Sequence, residues 1–496
     1  MLLLALTGCR ETGSPADALV GVGPALLADL AVPVPALDDF SADSLAVRSM
    51  VQSDTRGSFF YDALNGPQTD DAMGWSVGGF RVLDGWRWEA DTIALGPDRR
   101  VGGAARPDFA VRTYEAALPD NVLSRLARVF SREKPLTLTE QLTLLDATRE
   151  APGALLVEVA DSLGALTLRP TVSDRGPNGY NVVGESGALA VARGNYLNRR
   201  GRRPVWLAVQ ATGGTVSTRI AEVEPDAGRA RGVTVGAVTF ETPGRVAMAV
   251  GDTPEEAAAR AAAALRDAET HRARRAERMA ALLDRTYVRP SDDRQRQALA
   301  WTHLMADALV VRDSVRTTVA EGLPGSLRFP GRSTLRTLAP FFLATGDFKT
   351  ARAVLTAFGR AQVFDENLET LGRAPNAIVN GRPEFATTDA TPVFGAAVAD
   401  YVRATGESSL IFGEPDYWFK TVFATRGLYG ENTRRSALVD SLGFLRAGGA
   451  ETWMSELDRS GAPVEAQGAL VRHLRAMGRF ARIMRVTQRA GEFEAR

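Results

Sequence analysis

The residues best suited to chemistry lie in the loops of the C-terminal part of this 496-residue chain. Asp389 comes just before a predicted helix that begins near Thr391, and Glu384 lies five residues before Asp389. A carboxyl group held at a helix start can give a proton to a bound molecule or take one from it. An aspartate there can equally cap the helix by accepting hydrogen bonds from its first backbone N–H groups. The residues alone leave both roles open.

Helices joined by long loops must position these side chains. The Gly/Pro-rich segment 321–334 is predicted to be a loop, followed by a helix that carries 338–343 and stops at 345–347. A second helix is predicted over Phe348–Gln362, and a long polar loop then leads to Asp389. Helix pairs with residue-rich loops at one end can form a pocket there, since function often resides in loops held by a rigid scaffold.

The remainder of residues 290–485 continues the helical pattern, and 486–496 form a polar tail. Apolar spacing predicts further helices, at 297–311, 391–404, 434–446 and 463–484. A closed toroid of six helix pairs needs about twelve helices, more than the 207 residues from Pro290 to Arg496 can supply. We therefore expect a C-terminal (α/α) toroid that is about half complete, in a fragment or in a degenerate relative.

Residues 46–252 have the pattern of a different fold. Short alternating runs are separated by clusters of Gly, Pro, Asn and Asp, which predicts an N-terminal antiparallel β-sandwich of the supersandwich type. The clearest runs are 74–82, 86–90, 136–144, 155–159, 166–170, 205–209 and 233–240.

Residues 253–289 are predicted to link the two regions. Thr253, Pro254 and Glu256 occupy the N-cap, first and third positions expected at a helix start. One long exposed helix is expected to follow, up to Leu283. Its arginine-rich part has glutamates within it and no aromatic residues, which indicates a solvated helix face and not an RNA-binding surface.

Composition excludes several functional classes. The 59 basic side chains balance the 59 acidic ones, so charge gives no case for binding nucleic acid or an anionic membrane surface. One cysteine and three widely spaced histidines exclude a disulfide framework and a Cys-rich zinc site. No metal or cofactor is expected.

The N-terminus suggests a lipid anchor. Residues 6–9, Leu-Thr-Gly-Cys, resemble a bacterial lipobox, in which the cysteine is lipidated. We therefore expect residues 1–9 to be the remnant of a lipoprotein signal, Cys9 to carry the lipid, and residues 10–45 to be a tether. The protein would then sit in the bacterial cell envelope, with the membrane contacted only through this anchor. A chance apolar start would instead leave the protein in the cytoplasm.

Ordered motifs resemble those of bacterial glycogen debranching enzymes of the amylo-α-1,6-glucosidase type, which are six-hairpin glycosidases. The motifs run through most of residues 50–485, with weaker matches at Phe59-Phe60-Tyr61 and at 74–80. The stronger matches are Gly322-Leu323-Pro324, Gly331-Arg332-Ser333-Thr334, Ala374-Pro375-Asn376, Thr388-Asp389-Ala390-Thr391-Pro392, Glu451-Thr452-Trp453-Met454-Ser455 and Pro463-Val464-Glu465.

The resemblance implies a glycosidase that acts on an α-glucan or oligosaccharide, at α-1,6 or related α-glucosidic bonds. Hydrolysis with inversion needs an acid, a base and room for a water between them, and the motif places the general acid at Asp389. Asp389 is then expected to face a sugar-sized hollow close to Arg332 and Trp453. The residues expected to bind substrate are Arg332, Ser333, Trp453, Ser455, Glu465 and, more weakly, Glu384.

Three departures from the family pattern support an alternative. Ser333 and Ser455 stand where the family has aspartates, and a serine adds no negative charge and cannot act as an acid near neutral pH. The family's general base lies well downstream of the motif that contains Glu465, and Arg496 is the last residue of this chain. The alternative function is a catalytically impaired, glucan-binding lipoprotein.

Overall fold

A computed structural model describes most of the chain. The described residues are 30, 32–34, 49–65, 73–90, 93–96, 99–116, 136–148, 152–173, 181–198, 201–222, 233–285, 290–313, 316–322, 328–365, 370–379, 381–413, 416–430, 438–449, 451–452 and 458–496.

The N-terminal half is built from antiparallel strands. In the part of the chain that is described, they are β1 (Val32–Val34), β2 (Ser49–Ser53), β3 (Ser58–Ala63), β4 (Gly74–Val77), β5 (Phe80–Leu83), β6 (Gly85–Ala90), β7 (Ile93–Leu95), β8 (Arg100–Ala105), β9 (Ala110–Glu115), β10 (Thr137–Leu144), β11 (Leu155–Val159), β12 (Ala165–Val172), β13 (Val182–Glu185), β14 (Ala188–Asn198), β15 (Gly201–Ala211), β16 (Thr215–Glu222), β17 (Val233–Glu241) and β18 (Gly244–Gly251).

These strands form three sheets around one apolar core. The largest sheet has the order β1-β8-β9-β10-β11-β18-β15-β14-β13, the second β16-β17-β12-β6-β7, and the third β2-β3-β4-β5. Side chains from all three sheets meet in the core, among them Trp75, Trp88 and Leu207. The predicted order, antiparallel sheets first and helices second, is confirmed.

The alternation of buried and exposed residues explains why these segments form strands. In β12 the exposed or half-buried residues alternate with buried ones along the whole strand, as expected where one face of a sheet covers a core. One predicted run needs correction: residues 74–82 form a hairpin of two strands, β4 and β5. Gly78 and Gly79 turn the chain between them with φ of +61° and +81°, which glycine adopts at little cost.

Four charged side chains are buried and paired with one another inside the sandwich. Arg100 donates to both oxygens of Asp62, at 3.1 and 3.0 Å, and Arg112 donates to Asp62 and Glu140 at 2.6 Å each. Tyr114, Trp86 and Trp88 donate to Glu140. Burial is the main cause of the raised pKa of the Tyr114 hydroxyl, which therefore remains a donor. Two basic and two acidic groups are thus paired away from water.

The linker consists of two helices, α1 (Pro254–Arg266) and α2 (Ala268–Asp284), so the prediction of one long exposed helix is wrong. The first helix ends at Asp267, whose φ and ψ of −102° and 16° are not helical. Its alanines are buried against alanines of the largest sheet, because a small side chain allows a helix to approach a sheet closely. The predicted helix start is confirmed: Thr253 accepts from the Glu256 N–H at 3.2 Å.

Helix α2 also ties the sandwich to the helical region. Arg275 donates to the carbonyl of Ser53 and to Asp146, both at 2.8 Å. Arg278 binds Asp146 at 2.6 Å and also binds Asp307 of the helix that follows. Arg275 therefore ties α2 to the sandwich, and Arg278 connects a sandwich loop with the helix that follows α2.

The C-terminal half is mainly helical. Its described residues form five short strands between the helices: β19 (Val310–Arg312), β20 (Thr317–Val319), β21 (Arg328–Pro330), β22 (Ala377–Val379) and β23 (Arg382–Glu384). Its described helices are α3 (Asp293–Ala308), α4 (Gly331–Thr337, continued by a π-helical turn over Leu338–Leu343), α5 (Phe348–Arg360), α6 (Ala390–Thr405), α7 (Ser409–Phe412), α8 (Tyr417–Tyr429), α9 (Val464–Ile483) and α10 (Thr487–Ala495).

Several predictions in this half need correction. Residues 438–446, placed in a helix by their apolar spacing, form a turn closed by a bridge between Val439 and Leu445. The segment predicted as a helix up to Val311 leaves the helix after Ala308 and forms β19. The polar loop before Asp389 contains β22 and β23, which pair with β21 in a small sheet.

The helical region has its own core, which includes Phe342, Phe358 and Phe394. Phe59 of the sandwich strand β3 also belongs to this core, whereas its neighbour Phe60 faces the sandwich core. Strand β3 therefore contributes to both. Among the described residues no helix is long and apolar enough to cross a membrane. The predicted domain boundaries stay predictions.

Candidate active site

Asp389 occupies the N-cap position of α6, but it does not act as a cap. Its side chain makes no hydrogen bond to the helix that it precedes. The carboxylate instead accepts from Nη1 of Arg332, at 3.2 Å to one oxygen and 3.4 Å to the other. The capping interpretation therefore fails, and the carboxylate is committed to a side chain on a neighbouring helix.

Arg332 lies in the first turn of α4. The sequence predicted a loop here, but the helix begins at Gly331, with Pro330 at the N-cap position. The Arg332 side chain is 20% exposed, whereas Asp389 is completely buried. Solvent therefore reaches the Arg332 side chain but not that of Asp389.

The expected proximity of Asp389 to Arg332 is confirmed, but the expected opening at Asp389 is not. Its side chain has no exposed surface, because it points between the two helix starts toward Arg332. A cavity of about 490 Å³ does lie among the first three turns of α4, α6 and α9. Neither Asp389 nor Arg332 is among the described residues that line it.

Glu465, in the first turn of α9, does line that cavity. One of its oxygens accepts from Arg459 at 3.0 Å, and the other is buried with no hydrogen-bond partner among the described residues. A second ion pair, between Asp400 and Arg472 at 2.7 Å, lies further along the same cavity. Since an unpaired buried oxygen is costly, Glu465 has the capacity to bind one more donor.

Ser333 and Glu384 are not brought to Asp389. Ser333 is exposed on α4, one position after Arg332. Successive residues of a helix point about 100° apart, so neighbours in sequence face different ways. Glu384 is exposed on β23, where its nearest ionic partner is Arg328 at 3.7 Å. The structure therefore gives no support to either residue as a partner of the carboxylate.

The remaining predicted residues lie outside the described part of the chain. Trp453, Ser455 and Cys9 fall in this class, so their predicted roles, including the lipid anchor at Cys9, stay predictions. Thr452, next to Trp453, is described: it is 1% exposed, and within the described part of the chain its hydroxyl has no hydrogen-bond partner.

Sequence reasoning missed charged residues of the cavity, among them Asp400 and Arg472. Each lies at helical spacing from a residue that was chosen: Asp400 is eleven positions after Asp389, and Arg472 is seven after Glu465. Residues seven apart return to the same face of a helix, so this spacing was the available signal.

Comparison with known families identifies the helical region. A family model described as amylo-alpha-1,6-glucosidase matches residues 304–495. The match includes Arg332, Asp389 and Glu465, and it confirms the resemblance that the sequence motifs indicated. Residues 304–495 are therefore similar to the amylo-α-1,6-glucosidase family.

Among solved structures, the chain is similar to a bacterial glucoamylase complexed with acarbose. The TM-score is 0.45 and the identity 10%, over 90% of this chain and 57% of that chain. The chain thus spans little more than half the length of that protein. No curated protein matches it.

Proposed function

We propose that this protein hydrolyses α-glucosidic bonds in glucans, at α-1,6 branch points, with Asp389 as the general acid. The observation that carries the proposal is the Arg332–Asp389 pair. A carboxylate that could have capped its own helix is held instead by an arginine from the neighbouring helix, inside the segment that matches the family. Proton transfer by a positioned carboxyl group contributes about 10²–10⁴-fold to rate.

Arg332 has a distinct part in this proposal. It holds the carboxylate in one orientation, and its partly exposed side chain is where a substrate oxygen would approach the pair. A planar guanidinium also has donors left for sugar hydroxyls, because it carries five N–H groups.

Inversion is part of the proposal. It requires a second carboxylate about 6.5–9.5 Å from the acid, with a water between them. No general base is identified among the described residues. Glu465, with its unpartnered oxygen beside the cavity, is proposed as a substrate-binding group.

A second candidate is glucan binding without turnover. Two observations favour it: Asp389 has no exposed surface, and Ser333 stands where the family has an aspartate. In this case the cavity beside α4, α6 and α9 would bind an oligosaccharide, and no bond would be cleaved.

One pair of measurements separates the two candidates. The purified protein is incubated with an α-1,6-branched oligosaccharide, and the released glucose is followed by proton NMR, which distinguishes its anomers. Early appearance of β-glucose supports inverting hydrolysis, and early α-glucose contradicts inversion. Heat of binding in calorimetry with no released glucose selects the binding protein. Neither heat nor glucose overturns both candidates.

A further inference from the structure

The Arg332–Asp389 pair joins the starts of α4 and α6, which are far apart in sequence. Other contacts must therefore hold these two helix starts at a fixed separation. A three-residue segment, Ala374–Asn376, lies between them. Ala374 and Asn376 are 1% and 6% exposed. The contacts of this segment reach both helices.

On one side the segment holds the start of α4. The N–H of Gly331, which has no partner within its own helix, donates to the carbonyl of Asn376 at 2.6 Å. The approach is very close: a Cβ at Gly331 would lie 2.1 Å from the carbonyl oxygen of Pro375. Glycine is therefore the residue that fits, and Arg332 follows it directly.

On the other side the segment holds the start of α6. The hydroxyl of Thr391 accepts from the Ala374 N–H at 3.2 Å and lies 3.5 Å from the Ala374 carbonyl oxygen. Thr391 is 1% exposed and lies two positions after Asp389. The buried hydroxyl of Thr421, in contrast, donates within its own helix, to the Tyr417 carbonyl at 2.6 Å.

The Asn376 side chain adds a third link. Its Oδ1 accepts from the backbone N–H of Ala386, three residues before Asp389. The backbone N–H of Asn376 donates to the Glu384 carbonyl at 2.9 Å. The chain that leads into Asp389 is therefore fixed to the same segment as the two helix starts.

We propose that Thr391 and Asn376 are positioning residues. Through the segment Ala374–Asn376 they hold the starts of α4 and α6 at the separation that pairs Arg332 with Asp389. In terms of catalysis this rests on the proposed function. As a statement about geometry it does not, because the pairing can be measured without a substrate.

The test uses Thr391→Val, which keeps the shape of the side chain and removes the hydroxyl. Thr391→Ser restores the hydroxyl, and Thr421→Val removes an equally buried threonine hydroxyl that has no link to the site. In a hydrolysis assay kcat of Thr391→Val falls by at least about tenfold while KM changes little, since misplacement of a catalytic group by about 1 Å can cost 10²-fold. Thr391→Ser and Thr421→Val keep kcat close to that of the wild type.

A second measurement needs no turnover. Arg332→Met and Asp389→Asn are combined in a double-mutant cycle, with the urea midpoint as the readout, because such a cycle isolates the coupling of two side chains. The coupling is present in the wild-type and Thr421→Val backgrounds and is lost in Thr391→Val. If Thr391→Val does not fold, Asn376→Leu, which removes the Oδ1 acceptor, takes its place with the same expected result.

The outcomes are distinct. Coupling that survives unchanged in Thr391→Val overturns the positioning role, whatever the assay shows. A wild-type protein without hydrolysis refutes the proposed function but leaves the coupling measurement as a valid test of the segment. Equal loss of kcat in Thr391→Val and Thr421→Val would also overturn it, because the effect would then follow general destabilisation.

Discussion

The two halves of the molecule each contain a buried ionic cluster, and the clusters differ in how completely their carboxylates are bound. In the sandwich, each of the four oxygens of Asp62 and Glu140 accepts two hydrogen bonds. In the helical region, the two oxygens of Asp389 share one donor atom of Arg332, at 3.2 and 3.4 Å.

The difference separates a structural role from a chemical one. A carboxylate whose oxygens each accept two hydrogen bonds is fixed and has no acceptor capacity left for a substrate hydroxyl. Both oxygens of Asp389 contact the same nitrogen of Arg332, whose side chain is partly exposed. This carboxylate can still accept a hydrogen bond from a substrate. Burial alone does not distinguish the clusters, since Glu140 and Asp389 are both completely buried.

The largest effect is expected in the sandwich. Glu140→Gln keeps the shape of the side chain but leaves Arg112 without one of its buried counter-ions. Removing one partner of a buried ion pair costs about 3–5 kcal/mol of unfolding free energy. Urea denaturation should show this loss, with the activity of the folded fraction unchanged.

A matched control for this variant is Glu89→Gln. The Glu89–Arg169 pair lies on the same sandwich at 2.6 Å, but both side chains are about a third exposed. Exposed pairs contribute about 0–1 kcal/mol. Equal losses for Glu140→Gln and Glu89→Gln would contradict a special role of the buried cluster.

A pH effect is expected in the helical region. Burial lowers the pKa of His473 to about 4 from 6.5, and its Nε2 lies 2.9 Å from the Thr425 hydroxyl. A histidine with a depressed pKa in the folded state contributes stability that is present above pH 6.5 and lost as pH falls toward 4. The drop of about 2.5 pKa units corresponds to roughly 3 kcal/mol.

Unfolding of the wild type and of His473→Gln at pH 7, 5.5 and 4 checks this effect. The wild type should lose about 3 kcal/mol more than the variant over this range. The comparison between the two proteins also cancels Asp54 of the sandwich, whose pKa is raised by burial to about 6 and whose contribution has the opposite sign. Parallel curves for the two proteins would refute the assignment to His473.

A smaller stability effect is expected at the candidate site. Asp389→Asn makes the same chemical change as Glu140→Gln, but its partner Arg332 can reach water when the charge is removed. We expect a loss of about 1 kcal/mol, the size of one ordinary hydrogen bond. Equal destabilisation by Asp389→Asn and Glu140→Gln would show that both clusters are structural.

Much of this organisation could be predicted from the sequence. Alternation located several strands of the sandwich, among them β6, β10, β12 and β17. The proximity of Arg332 to Asp389, in contrast, was expected only from the family resemblance. Helix α9 was predicted to within one residue at each end, since Pro463 precedes a long apolar stripe. These features depend on local pattern, which a single sequence carries.

Features that depend on orientation were missed. Glu140 is in phase with Leu138 and Leu142 along β10 and therefore faces the core, but only the arrangement of Arg112 and two tryptophans explains how it is tolerated there. Ser333 follows Arg332 directly, yet it points elsewhere because α4 has already begun. The turn at 438–446 has helical spacing without helical structure, because its bridge is set by tertiary contacts.

The most direct test of the account is the rate of glucose release by Asp389→Asn from an α-1,6-branched oligosaccharide, measured with enzyme in excess so that one turnover is followed. We expect the rate of glucose release by Asp389→Asn to fall by about 10²–10⁴-fold relative to the wild type, the range that a general acid supplies. The variant should unfold at nearly the same urea concentration as the wild type. Hydrolysis at the wild-type rate by Asp389→Asn would contradict the role of this carboxylate as the acid.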